Sequence, residues 1–255
     1  MKKSALLAAL AAAMISTPAA AEGYLGLEYE AANVDTGGGD VDLDIWQGEG
    51  AFGFGGQGWG GQIDGSWGNL SVNNADADVW TLGGHLWWAS DNWRLGGVVT
   101  TTQLSDGGTI DEWAAGVEGA DDASPRTQFI ASFTVGEVDH GGPDLDTANL
   151  DVRANFFATP NVRIGGLLGF GNLDDGATDV DTLSYGVNAE FQPWSAPVSV
   201  TLGWTAFDID DVDVGSSTFQ IGARWNFGGG TLQDRRNATP FDTTTGYYNR
   251  FYGIW

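Results

Sequence analysis

The sequence predicts an all-β protein, an antiparallel, transmembrane, up-and-down β-barrel of about 12 strands. Three observations predict it. Apolar and polar residues alternate in successive segments rich in Gly, Trp and Phe. The connections between these segments alternate between short turns and Asp/Gly-rich loops. An N-terminal export segment is followed by no long apolar run. Lipid outside and water inside explain such alternation, and a sheet that spans a bilayer must close on itself because unpaired backbone groups are costly in hydrocarbon.

Residues 1–21 read as a signal peptide. Lys2 and Lys3 give the positive start, Ala5 to Ile15 the apolar stretch, Pro18 a break, and Ala19-Ala20-Ala21 a small-residue cleavage pattern, so the mature chain is expected to begin at Glu22. Of the ten basic residues two leave with that segment. The remaining eight, all Arg, face 34 acids, a formal charge of −26. A chain this acidic offers no basic face to a phosphate backbone, so nucleic acid is not an expected partner. Its 12 Trp, 13 Phe and 6 Tyr argue for folding rather than disorder. With no Cys there is neither a disulfide scaffold nor a thiolate metal site.

The expected strands are Gly23–Ala31, Val41–Phe54, Gly58–Val72, Asp78–Ala89, Trp93–Leu104, Ile110–Gly119, Arg126–Asp139, Ala148–Ala158, Val162–Leu173, Val180–Gln192, Val198–Ile209 and Ser217–Phe227. Each is long enough for a tilted crossing, which takes ~9–11 residues. The short connections include Gly55-Gly56-Gln57, Ser90-Asp91-Asn92, Asp121–Pro125, Thr159-Pro160-Asn161 and Pro193–Pro197. The acidic ones are Ala32–Asp40, Asn73–Ala77, Ser105–Thr109, His140–Thr147, Asp174–Asp179 and Asp210–Ser216. Starting from a periplasmic N-terminus, every acidic loop falls outside and every turn inside.

Strand periodicity assigns the faces. In the last strand Phe219, Ile221, Ala223, Trp225 and Phe227 oppose Gln220, Gly222, Arg224 and Asn226. In the eighth, Leu150, Val152, Ala154 and Phe156 oppose Asn149, Asp151, Arg153 and Asn155. The second and third strands change parity partway, which predicts a bulge in each. Aromatic residues form two bands, one with Phe52, Phe54, Trp59, Trp88, Trp93, Trp194 and Trp225, the other with Tyr29, Trp46, Trp67, Trp80, Trp113 and Phe207. A soluble sandwich shows the same alternation but centres its aromatics mid-strand, whereas two belts mark two headgroup layers.

The export signal, the opening Gly23-Tyr24-Leu25-Gly26-Leu27 and the closing Gly222-Ala223-Arg224-Trp225-Asn226-Phe227 resemble Gram-negative outer-membrane β-barrel proteins, the small porin-like ones in particular. The resemblance covers residues 1–227. It implies a place in the outer membrane, contact with lipid and lipopolysaccharide, and an assembly signal read at Trp225 and Phe227 by the outer-membrane assembly machinery. In that family the signal usually ends the chain, but here Gly228–Trp255 follows. Either the barrel spans residues 22–227 and 228–255 is a tail able to fold into the lumen as a plug, or the final strand lies near Tyr247–Trp255. The Gly228-Gly229-Gly230 break favours the first.

Few residues suggest chemistry. Gly53-Phe54-Gly55-Gly56-Gln57-Gly58 fits a dinucleotide fingerprint, but a strand follows it where a helix is needed. Asp40, Asp42 and Asp44, with Asp208 and Asp210, lack the Gly and Glu of a calcium loop and read as an acidic rim able at most to bind divalent ions weakly. His85 and His140 lie far apart in sequence, with no ligand spacing and no nucleophile motif nearby. No catalysis, cofactor or metal is therefore expected. Parity points Arg94, Arg153, Arg163 and Arg224 inward, together with Glu28, Glu49, Asp64, Glu112, Asp151 and Glu190. Facing lipid, such charges would cost ~2–4 kcal/mol each near the midplane, so they belong in a wet lumen. The expected function is passive diffusion of small polar solutes or ions past an acidic mouth and an arginine zone. The alternatives are a structural or adhesive barrel with a blocked lumen and, less favoured, an outer-membrane hydrolase.

Overall fold

The computed structural model describes residues 22–241 except 36, 73–74, 107, 143, 195 and 211–213. The expected signal peptide and the segment Tyr247–Trp255 lie outside the described residues. Twelve strands run in chain order: β1 (Glu22–Asp35), β2 (Asp40–Gly55), β3 (Gly58–Val72), β4 (Ala75–Ser90), β5 (Trp93–Asp106), β6 (Gly108–Ser124), β7 (Thr127–Asp139), β8 (Leu145–Thr159), β9 (Val162–Asp174), β10 (Asp179–Phe191), β11 (Val198–Ile209) and β12 (Val214–Phe227). Each pairs antiparallel with its chain neighbours, and β1 pairs with β12 from Gly23↔Phe227 to Asp35↔Gly215, closing the ring. Both Glu22 and Phe227 therefore lie at one end, called here the near end; the other is the far end.

The molecule is apolar outside and polar inside. Leu27 and Leu95 are 63% and 61% exposed, while Gln62 and Asp64 are each 1% exposed. A water-soluble sandwich has the opposite arrangement, so the alternation belongs to a lipid-facing wall around a polar lumen. Trp46, Trp67 and Trp113 face outward toward the far end, and Phe54, Trp59, Trp88, Trp93, Trp194 and Trp225 face outward toward the near end. Phe207 departs from its expected band: it is only 2% exposed and points into the lumen.

The strands extend further than the sequence suggests, and mostly at the far end. β1 runs to Asp35 and β2 starts at Asp40, so the expected Ala32–Asp40 loop is mostly strand. Asp-rich segments read as loops because Asp disfavours strands in general. At this rim the carboxylates instead accept hydrogen bonds from neighbouring strands: Asn33 donates to Asp42 at 3.0 Å, Ser71 to Asp76 at 2.8 Å and Gln103 to Asp111 at 2.5 Å.

The bulges expected in β2 and β3 are absent, since their pairing runs from Asp44↔Ser71 to Gly55↔Gly60 without a slip. The slips lie instead between Asp121 and Ser124 in β6 and between Phe157 and Thr159 in β8. The apparent parity change has a different cause. Leu43 and Ile45 point inward on the same face as Gln47 and Glu49. They join Val34, Val79, Leu104 and Val138 in a buried aliphatic cluster inside the far part of the lumen, fed from β1 to β8.

Candidate functional site

The near end of the lumen is occupied by the chain itself. Gly228, Gly229 and Gly230 all have positive φ, of 98°, 79° and 77°, a run that only glycine adopts without strain and that turns the chain back after β12. Thr231 and Asp234 close the next turn: the Thr231 backbone N–H and hydroxyl donate to Asp234 Oδ2 at 2.9 and 2.7 Å. These bonds hold the exposed Asp234 carboxyl below its ordinary value. The segment is latched to two near-end turns, with Gln233 donating to the Pro160 carbonyl at 3.0 Å and to the Pro125 carbonyl at 2.6 Å. Arg235 donates to Gln192 Oε1 at 2.7 Å. Asn237 donates to Asp122 at 2.9 Å.

Phe241 is the deepest described residue of this segment, 3% exposed. Its ring stacks on His85 at 5.6 Å between centroids and meets Trp87 edge-on at 5.5 Å. Gln62 receives its backbone on both sides: Phe241 N–H donates to Gln62 Oε1 at 3.3 Å, and Gln62 Nε2 donates to the Phe241 carbonyl. Burying one such ring contributes roughly 1.5–3 kcal/mol. Gly53 admits the chain: a Cβ there would stand 1.6 Å from the Ala238 carbonyl oxygen.

Beneath the aromatic contact lies an acid–base–acid bridge. His85 Nε2 is 2.8 Å from Asp64 and its Nδ1 2.9 Å from Glu118. Gln62 also donates to Asp64 at 2.6 Å. Across the lumen, Arg224 grips Glu49 with two bonds of 2.7 and 3.0 Å, stands 3.8 Å from Glu190 and lies 4.3 Å above the Tyr24 ring. Arg163 reaches Glu190 at 3.1 Å, and Ser199 donates to the same carboxylate at 2.6 Å. Arg94 and Arg236 approach Asp122 at 3.6 and 3.4 Å. Between this wall and the tail remains a cavity of about 110 Å³, lined by Arg153, Arg163, Arg224, Arg235 and Arg236 among others. Five of the chain's arginines thus share one space in a strongly acidic protein.

Of the residues singled out from the sequence, the structure brings Arg163, Arg224, Glu49 and Glu190 into one ion-paired layer, with Arg153 on the same cavity. Asp64 belongs to the His85 bridge and Arg94 to the contact with the tail. Glu112 and Asp151 are buried on the inner wall away from that layer, and Trp225 faces outward next to Phe227, whose ring stacks on Phe52 at 6.3 Å. His85 faces the lumen, where two carboxylates and Phe241 fix it. Glu118 and Asp122 escaped notice although Glu118 shares the inward parity of Glu112. Nothing in the local pattern of Arg235, Arg236 and Phe241 marked them as lumen residues. Among the described residues no three His, Cys, Asp or Glu side chains gather as a metal site.

No family model matches the sequence, and no curated protein matches it. Solved structures do match its shape. The COG4313 outer-membrane channel from Pseudomonas putida F1 aligns with a TM-score of 0.62 at 10% identity, covering 83% of this chain and 97% of that one. The translocator domain of autotransporter NalP from Neisseria meningitidis aligns at 0.55 with 11% identity, covering 89% and 95%. The KdgM porin aligns at 0.51 with 8% identity, covering 79% and 99%. The chain therefore has the fold of outer-membrane β-barrels, a class that includes both channels and translocators.

Proposed function

We propose that this chain is a porin-like channel of a Gram-negative outer membrane, passing small polar solutes or ions by passive diffusion, with residues 228–241 as a stopper in its periplasmic mouth. The observation that carries this reading is the arginine-lined cavity left between stopper and wall. A charged, hydrogen-bonding lining suits a water-filled passage, where it filters solutes by charge. Twelve strands give a bore between those of side-chain-filled eight-stranded and open sixteen-stranded barrels, which suits small cargo. An even strand number and short near-end turns support a periplasmic position for that end, where Trp225 and Phe227 would be open to the assembly machinery.

The test is current across a planar bilayer. The full chain should conduct rarely, and a chain ending at Gly230 should conduct in sustained steps. In the truncated chain, Arg224→Glu or Arg153→Glu should shift the reversal potential toward cation selectivity. An unmoved reversal potential in both variants would remove the arginine layer from the selectivity mechanism.

A second reading, a scaffold with a blocked lumen, is favoured by the aliphatic cluster in the far part of the bore. Silence from both the full and the truncated chain would decide for it.

A further inference from the structure

We propose that the lumen binds a calcium-class divalent cation at the seam where the first and last strands meet. The inference stands whether or not the lumen conducts. Glu28 and Glu30 lie two residues apart on β1, so both point inward, and they are 6% and 1% exposed. The Gln47 amide nitrogen donates to both, at 2.9 and 2.5 Å, and Gln220 donates to Glu30 at 3.2 Å. These neutral donors hold the two carboxyl groups side by side. The guanidinium nearest in strand register, that of Arg224 opposite Gly26, is already engaged by Glu49 and Glu190. Among the described residues neither Glu28 nor Glu30 forms an ion pair. Two desolvated charges without a counterion are costly, and a bound cation removes that cost.

The second observation is a set of unsatisfied oxygens. Glu30 Oε2, Gln47 Oε1 and Thr201 Oγ1 are buried and make no hydrogen bond. Such groups in a native fold call for a partner. Strand register brings them to one level: Glu28 stands opposite both Gln47 and Gly222, Gly222 stands opposite Thr201, and Glu30 is two residues further along β1. The point where a Cβ on Gly222 would stand is 2.6 Å from Thr201 Oγ1 and 3.2 Å from Glu28 Oε2. The glycine thus leaves a gap between a hydroxyl and a carboxylate oxygen. Two carboxylates with neutral amide and hydroxyl oxygens form the hard, flexible ligand set that calcium accepts, with water completing its shell, and that magnesium's stricter octahedron does not favour. The ligands come from β1, β2 and β11 around β12, so the ion would tie the closing pair of strands to both neighbours. This position is distinct from the exposed Asp rim at the far end.

The experiment uses the full chain folded in detergent, stripped with EDTA and titrated calorimetrically with calcium chloride, alongside its thermal unfolding followed by heat-dependent gel migration. One saturable site and a raised unfolding midpoint are expected for the unaltered chain. Glu30→Gln should weaken that site by at least about tenfold and unfold at a higher temperature than the stripped unaltered chain, because a repulsion has gone. The rim variant Asp42→Asn should retain both responses. Should Glu30→Gln not fold, Thr201→Val, similar in shape and uncharged, must still lower calcium affinity. Undiminished affinity in either variant overturns the proposal, as does an equal midpoint shift from magnesium or sodium, or loss of the calcium response in Asp42→Asn. So does a midpoint in the unaltered chain that rises on acidification but not with calcium, since the two carboxylates would then share a proton.

Discussion

At the far end of the barrel one side of the lumen is lined by an aliphatic cluster of the wall itself, which includes Leu43, Ile45, Val79, Leu104 and Val138. At the near end it is filled by a returning segment whose contacts are mainly hydrogen bonds, ion pairs and one aromatic ring. The first packing cannot be removed without changing the barrel. The second can leave as a unit while all twelve strands stay paired. That contrast makes the near end the place for gating and the far end the place for stability.

Four measurements break or sharpen it, in order of expected size. Phe241→Ala removes the ring packed on His85 and Trp87, a truncation worth about 3–5 kcal/mol when the ring is fully buried. The tail should undock, and trypsin should then cut at Arg235 and Arg236 while the barrel band stays intact. Resistance equal to that of the unaltered chain would mean that the polar latches alone hold the tail. Ile45→Ala, at a fully buried far-end position, should lower barrel stability by about 2–5 kcal/mol, read from denaturant unfolding, without exposing those tail arginines. Tail cleavage in that variant would show that the far-end packing and the tail's docking are coupled. Gln62→Leu leaves the Phe241 N–H and carbonyl unpaired and should weaken docking by about 1–3 kcal/mol, seen as partial protection from trypsin. The smallest effect is acid release. Thr231 holds Asp234 low in the folded turn of the tail, so that turn's contribution is fully present above the ordinary aspartate value and disappears as the pH falls through the lowered one, loosening the tail. Proteolysis of the tail by pepsin should rise across that acidic window, and Asp234→Asn should flatten the dependence.

Much of the wall was legible because the bilayer enforces strict alternation. The inward sets of β8 and β12 follow directly from Asn149-x-Asp151-x-Arg153 and Gln220-x-Gly222-x-Arg224. The errors share one cause: both rules used, that Asp breaks strands and that aliphatics face lipid, describe the membrane-embedded zone. Above that zone Asp42 and Asp111 sit in paired strands, bonded across to Asn33 and Gln103, and Leu43, Ile45 and Phe207 turn inward because no hydrocarbon rewards them outside. Individual arginines of the lumen were readable from parity, but their partners were not, because Arg224 and Glu49 are 175 residues apart and meet only through ring closure. The tail's docking was illegible for a further reason. Its anchors, Gln62, His85, Asp122 and Gln192, belong to four separate stretches of sequence, and no local period encodes a segment that fits them all.

The returning segment also imposes an order of events on biogenesis. It follows immediately after the strand that completes the ring, and its binding groups converge only once that ring exists. The polypeptide must therefore pass through a hollow stage, a cylinder already shut along its side but not yet bunged. Whatever delays entry of those last described residues lengthens the life of that unsealed intermediate without altering a single rung of the ladder.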